Sequence, residues 1–119
     1  KSVNSCMPAG VFNITIEKRS TFSFNATFTK QDGSPLILTD RNLFGEIRRD
    51  FDNAIEATFN ITKTDATAGK AQISLSKTQT ANLTDNSCSY DIFADHISNG
   101  TSLKILQGSV TIINNITSA

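Results

Sequence analysis

Tryptophan is absent from this chain of 119 residues; histidine, tyrosine and methionine occur once each, and proline and cysteine twice each. These shortages remove whole classes of reading. Two cysteines, Cys6 and Cys88, are too few for a disulfide scaffold, and with no CxxC pair and no neighbouring histidine they do not spell a zinc site. The single histidine, His96, stands beside Asp95 without a placed nucleophile, and it reads as an exposed turn residue. Net charge is lacking too. Eleven basic and eleven acidic side chains cancel, so nothing in the balance draws nucleic acid, an anionic membrane or an acidic substrate. No apolar run reaches membrane-spanning length, no signal-peptide pattern occurs, and there is no glycine-rich phosphate loop. No catalytic residue, cofactor, metal or small-molecule substrate is therefore expected.

What remains is the composition of a β domain. Asn, Thr and Ser are abundant, which suits strands with one wet face better than helices, where these residues compete with the backbone. The clearest stretch runs from Ser87 to Ile113. Tyr90, Ile92 and Ala94 alternate with Asp91, Phe93 and Asp95, Asn99-Gly100 turns the chain, and Leu106, Gly108, Val110 and Ile112 alternate with Gln107, Ser109 and Thr111. This is a hairpin pattern, placed at the centre of a sheet because Leu103 to Ile113 is long enough to pair on both edges.

Upstream, residues 1–10 read as an N-terminal arm. Strands follow at Phe12-Ile14-Ile16, Phe22-Phe24-Ala26-Phe28, Leu43-Gly45-Ile47, Ile55-Ala57-Phe59-Ile61 and Ala71-Ile73-Leu75, with a turn at Asp32-Gly33-Ser34-Pro35. Ser76 and Gln79 have capping-box spacing, so one helical turn is expected there, with Leu83 folding back onto the core. The whole reads as all-β: an antiparallel immunoglobulin-like β-sandwich of seven to eight strands with one short helical turn, spanning 11–116, before a tail at 117–119.

Candidate contact residues come from exceptions to the alternation. Phe44, Phe51 and Phe93 are out of phase with the inferred core, and at least one is expected to be buried by a partner, the alternative being cover by a second layer or loop of the same chain. Arg48 and Arg49, adjacent on a strand, point to opposite faces, which disfavours a phosphate cluster; Arg49 is placed at the strand end or in a subunit contact. The arm up to Gly10 and the tail from Asn114 are further candidate contacts, since an extended segment can complete a sheet edge. Asp50, Asp52 and Asn53 share a loop but not EF-hand spacing, so calcium is not expected. Cys88 is in phase with Tyr90 and fits a small buried thiol; a candidate disulfide to Cys6 stays open, subject to a Cα separation within about 7 Å. Six of the eleven asparagines (Asn13, Asn25, Asn60, Asn82, Asn99, Asn115) begin N-x-T sequons. Either they carry glycans, or the spacing simply follows from strand alternation, which is the preferred reading.

The segments Phe22 to Thr29 (FSFNATFT), Asp32 to Thr39 (DGSPLILT), Gly45 to Arg49 (GEIRR), Leu75 to Thr80 (LSKTQT), Tyr90 to Ile92 and Leu106 to Ile112 (LQGSVTI) occur in that order. The ordered set resembles a small β-sandwich domain that recurs in tailed-bacteriophage virion proteins, the N-terminal domain of baseplate upper proteins among them, over about Val11 to Ile116. It departs from that pattern at Lys18-Arg19, where the first turn normally has glycine, and at Cys88, where an aromatic is common. The resemblance implies a non-enzymatic tail or baseplate assembly module. Such a module docks to other virion structural proteins in many symmetric copies, within a virion assembled in the bacterial host cytoplasm, with its sequons unmodified. Two alternatives accompany it: a capsid (head) decoration protein consisting of the domain alone, and a secreted glycosylated adhesion module.

Overall fold

The computed structural model describes the backbone of residues 2–6 and the whole of residues 10–30, 32–84, 87–98 and 100–113. In chain order the strands are β1 (Ser2–Cys6), β2 (Gly10–Val11), β3 (Ile14–Glu17), β4 (Phe22–Thr29), β5 (Arg41–Arg49), β6 (Ile55–Thr58), β7 (Asn60–Asp65), β8 (Lys70–Leu75), β9 (Cys88–His96) and β10 (Ser102–Ile113), with one short helix, α1 (Lys77–Ala81), before β9. Period-two alternation explains most of them: a strand with every second residue apolar satisfies its backbone in a ladder and still buries one face.

Two sheets result, one of order β1-β4-β8-β7 and a larger one of order β2-β10-β9-β5-β6 with β3 also on β10. The β9–β10 hairpin is antiparallel and central in the larger sheet, with Tyr90 opposite Gly108 and Cys88 opposite Val110. Most pairings are antiparallel; the parallel ones are β1 on β4 and β2 and β3 on β10. The fold is thus an all-β sandwich. Its core takes Phe24, Ala26 and Phe28 from β4 and Ala71, Ile73 and Leu75 from β8, packed with Ile14, Ile16, Ile47, Tyr90, Ile92 and Ala94 of the larger sheet. Each large apolar side chain so buried contributes about 1.5–3 kcal/mol.

The helical turn is held by its predicted box. Ser76 Oγ accepts from the Gln79 amide (3.2 Å), and the Ser76 amide donates to Gln79 Oε1 (2.8 Å). Gln79 Nε2 also donates to the Thr58 carbonyl at 2.7 Å, so the turn ties the end of β6 to the start of the crossover between sheets. Thr80, fully buried, donates to Ser20 O at 2.8 Å, and Leu83 is buried as expected.

Three features depart from the sequence reading. Part of the expected arm is a strand, since Ser2–Cys6 pairs with β4. The segment SVNSC has no apolar alternation, so a strand there leaves no period to read. The run Ile55 to Ile61, expected as one strand, is two: β6 pairs with β5 and β7 pairs with β8 in the other sheet. The chain changes sheets at Phe59, whose amide donates to Gly45 O (2.9 Å) and whose buried ring meets Tyr90 edge-on at 5.6 Å. Finally, a bulge between Lys104 and Leu106 buries Ile105 and Leu106 together, which strict alternation excludes. Asn99, the tail from Asn114 to Ala119 and the Cys6 side chain, and with it the candidate disulfide, lie outside the described residues.

The turn that departs from the glycine pattern has a measurable consequence. Arg19 adopts φ 66°, a left-handed conformation that costs a non-glycine residue about 1–2 kcal/mol, while glycine loses about 0.5–1 kcal/mol more backbone entropy on folding. Arg19→Gly is therefore expected to stabilise the fold by about 0.5 kcal/mol, read from the urea midpoint. An unchanged or lower midpoint contradicts this account of the turn.

Candidate functional site

Residues of the larger sheet that alternate with the core point to its open side, and the register arranges them in rows across β5, β9 and β10. Phe44, Phe93 and Lys104 make the first row, Glu46, Asp91 and Gln107 the second, Arg48, Ser89 and Ser109 the third. In the first, Phe44 and Phe93 stack at 5.8 Å with 14° between their planes, and Lys104 Nζ lies 5.8 Å from the Phe93 centroid. Phe44 stays 45% exposed. This is a cross-strand aromatic pair with a cation at its end, an arrangement that stiffens the face while leaving apolar surface open to solvent.

The next two rows line a cleft of about 470 Å³, bounded by Val11 and Asn13 on one side and by Arg48, Asp50 and Asn53 on the other. It is a trough because of side-chain length: Ser89 and Ser109 are short on the middle strands, whereas Arg48 and Asn13 stand on the flanks. Three of its polar groups are fixed by neighbours. Arg48 donates through Nε (3.2 Å) and Nη2 (2.7 Å) to Glu46 Oε1 and through Nη1 to Asn53 O (2.9 Å). Asp50 Oδ1 accepts from Ser89 Oγ at 2.7 Å, and Asn13 Oδ1 accepts from the Ser109 amide at 3.0 Å.

Asn13 is needed there because the strand on the edge of β10 is interrupted. Val11 pairs with Gln107 and Ile14 with Val110, in unbroken register, and between them the Asn13 side chain supplies the bond to Ser109. At this interruption the Phe12 carbonyl lies over Gly108, where any Cβ would collide with it, and accepts the Tyr90 hydroxyl at 2.5 Å. Burial pushes the Tyr90 phenol well above its ordinary range.

The residues singled out in the sequence fall in two places. Phe44 and Phe93 come together in the first row; Phe51 is apart from them, 72% exposed, with the Arg49 guanidinium 5.3 Å over its ring. Arg48 and Arg49 use different partners, as their opposite facing requires. Arg49 is paired with Asp52 (3.0 Å) and Glu56 (3.3 Å). Its Nε is buried without an aligned hydrogen bond, so Glu56 balances it as a charge; Glu56 itself accepts from the amide and hydroxyl of Thr84 at 3.0 and 2.9 Å. Asp50 and Asp52 are thereby turned to Ser89 and Arg49, and no group of three His, Cys, Asp or Glu side chains able to hold a metal occurs among the described residues. Asp95 accepts from Ser102 and His96 Nδ1 from the Ser98 amide. Cys88 is buried, and its thiol is pushed up chiefly by that burial.

The cleft itself was missed by sequence reading. Its signal is present as polar residues two apart on three strands, but only the strand order shows that they share one face. No helix among the described residues is long and apolar enough to cross a membrane. The chain matches no protein-family model and no curated protein.

Proposed function

We propose that the chain is a non-enzymatic docking module of a tailed-bacteriophage virion, a tail or baseplate component held against other virion structural proteins in many copies. The observation that carries the docking reading is the Phe44–Phe93 pair. Two large rings stacked across β5 and β9 on the open face of the larger sheet expose apolar surface, and covering it with a partner's apolar surface returns free energy at about 25 cal/mol per Å². Support for the virion assignment comes from the resemblance. Its ordered segments lie on β4, on the connection between β4 and β5, on β5, at the junction of β8 and α1, and on β9 and β10; of their glycines, Gly45 and Gly108 have no room for a side chain, a Cβ on Gly45 sitting 2.6 Å from the Asp91 carbonyl, whereas Gly33 is in open space.

Particle assembly with Phe44→Ser and Phe93→Ser chains tests the docking face. Both variants are expected to stay folded, since neither ring is in the core and the lost cross-strand pair costs no more than about 1 kcal/mol, and to lose incorporation into particles by about tenfold. Incorporation of both at the wild-type level rules the face out.

A secreted glycosylated adhesion module is the reading that the exposure of Asn13, Asn25, Asn60 and Asn82 serves. Against it, Asn60 Nδ2, the atom that would carry a glycan, donates to Gln79 Oε1 at 2.8 Å. The masses of the peptides that contain these asparagines decide: glycans would add a large excess over the unmodified peptides.

A further inference from the structure

We propose that the cleft on the open face of the larger sheet is a binding site for a neutral oligosaccharide, a role independent of the virion reading. The argument is one of donor and acceptor complementarity. The arginines at the cleft are already neutralised, Arg48 by Glu46 and Arg49 by Asp52 and Glu56, and the lining also carries the carboxylates of Asp50 and Asp91, so an anionic ligand finds no open positive charge and meets acceptors that repel it. A purely cationic ligand, which only donates, would pair with those carboxylates but make no use of the amide N–H donors of Asn13, Asn53 and Gln107 or of the remaining Arg48 protons. A ligand rich in hydroxyls uses both kinds, because each hydroxyl donates and accepts.

The groups are also set in advance. Arg48 is held by three bonds, Asp50 by Ser89 and Asn13 by the Ser109 amide. Each keeps further hydrogen-bonding capacity: remaining guanidinium protons on Arg48, Oδ2 on Asp50, Nδ2 on Asn13. Polar groups ordered before binding lose little conformational entropy when a ligand arrives. Val11, 68% exposed at the rim, offers an apolar patch for the C–H face of a sugar ring, and about 470 Å³ falls within the range of small-ligand sites, about 300–1,000 Å³. Asp91 and Gln107, side by side on β9 and β10, project from the middle of the trough, where they reach a ligand from below.

The test is amide chemical-shift mapping of the isotope-labelled full chain with a panel of neutral tetrasaccharides of glucose, mannose, galactose and N-acetylglucosamine. A tetralysine peptide and tripolyphosphate are run alongside. Expected are shifts at Ser89, Asp91, Gln107 and Ser109 with at least one tetrasaccharide. Asp91→Ala and Gln107→Ala should each weaken that binding by about tenfold with an unchanged thermal midpoint. No shift with any tetrasaccharide at millimolar concentration, or shifts confined to residues outside the cleft, overturns the proposal. A response to tetralysine alone also overturns it and points to a basic segment of a protein partner.

Discussion

Gly108→Val is expected to be the most damaging single substitution on the larger sheet, costing about 3 kcal/mol and lowering the thermal midpoint by on the order of 10 °C. The reason is local. A Cβ at Gly108 collides with the Phe12 carbonyl and comes within 3.1 Å of the Tyr90 ring, so the edge formed by β2 and β3 must lift from β10. Lifting it removes the acceptor of the Tyr90 hydroxyl and the bond from Asn13 to Ser109. A buried hydroxyl left without a partner costs about 1–3 kcal/mol, and overpacking adds about the same. Thr111→Ala, at an exposed position of the same strand, serves as the control and is expected to change stability by less than about 0.5 kcal/mol. Equal midpoints for the two variants would contradict the assigned contact.

The second large effect appears in alkali. Tyr90 is the only tyrosine, and burial raises its phenol pKa above the ordinary value of 10.0. Below pH 10 both folded and unfolded chains keep the proton, so stability carries no Tyr90 dependence. Above it the unfolded chain ionises first and the folded chain does not, so stability falls with pH by at most about 1.4 kcal/mol per unit until the folded pKa is reached. Cys88 acts in the same direction from about its ordinary 9.0 upward. Tyr90→Phe, which loses about 1 kcal/mol with its hydrogen bond at neutral pH, is expected to overtake the wild type in strong alkali. Urea midpoints from pH 8 upward give the crossing. Tyrosinate absorbance of the wild type should appear only with unfolding; a phenol that titrates near pH 10 in the folded chain would contradict its burial.

How far the sequence could be read depended on whether the controlling physics was local. The alternation of Tyr90, Ile92 and Ala94 reported a buried face directly, and Ser76 with Gln79 reported a cap, because both patterns are written into neighbouring residues. Phe59 did not report its crossover. It is apolar and in phase with Ala57 and Ile61, and only the separate partners of β6 and β7 show the chain changing sheets. Ile105 was hidden in the same way by a bulge, and the pairing of Ser2–Cys6 with β4 by a sequence, SVNSC, without apolar alternation. The open face was half legible. Phe44 and Phe93 stood out as large residues at outward positions, yet their stacking required β5 to lie beside β9, a neighbour relation that no spacing within either strand contains. The cleft depends on the same relation among β5, β9 and β10, so Arg48, Ser89 and Ser109 read as unrelated wet positions until the sheet order brings them together.

The central claim is that this sandwich is a stoichiometric part of a phage particle. Quantitative peptide mass spectrometry of density-purified particles from the source culture tests it most directly. The account predicts the chain at a fixed copy number relative to other virion proteins, with its sequon peptides at their unmodified masses, tens of copies marking a baseplate position and hundreds a head position. Its absence from the particles, with the chain recovered instead as a glycosylated species in the surrounding medium, would contradict the virion reading and leave the adhesion module.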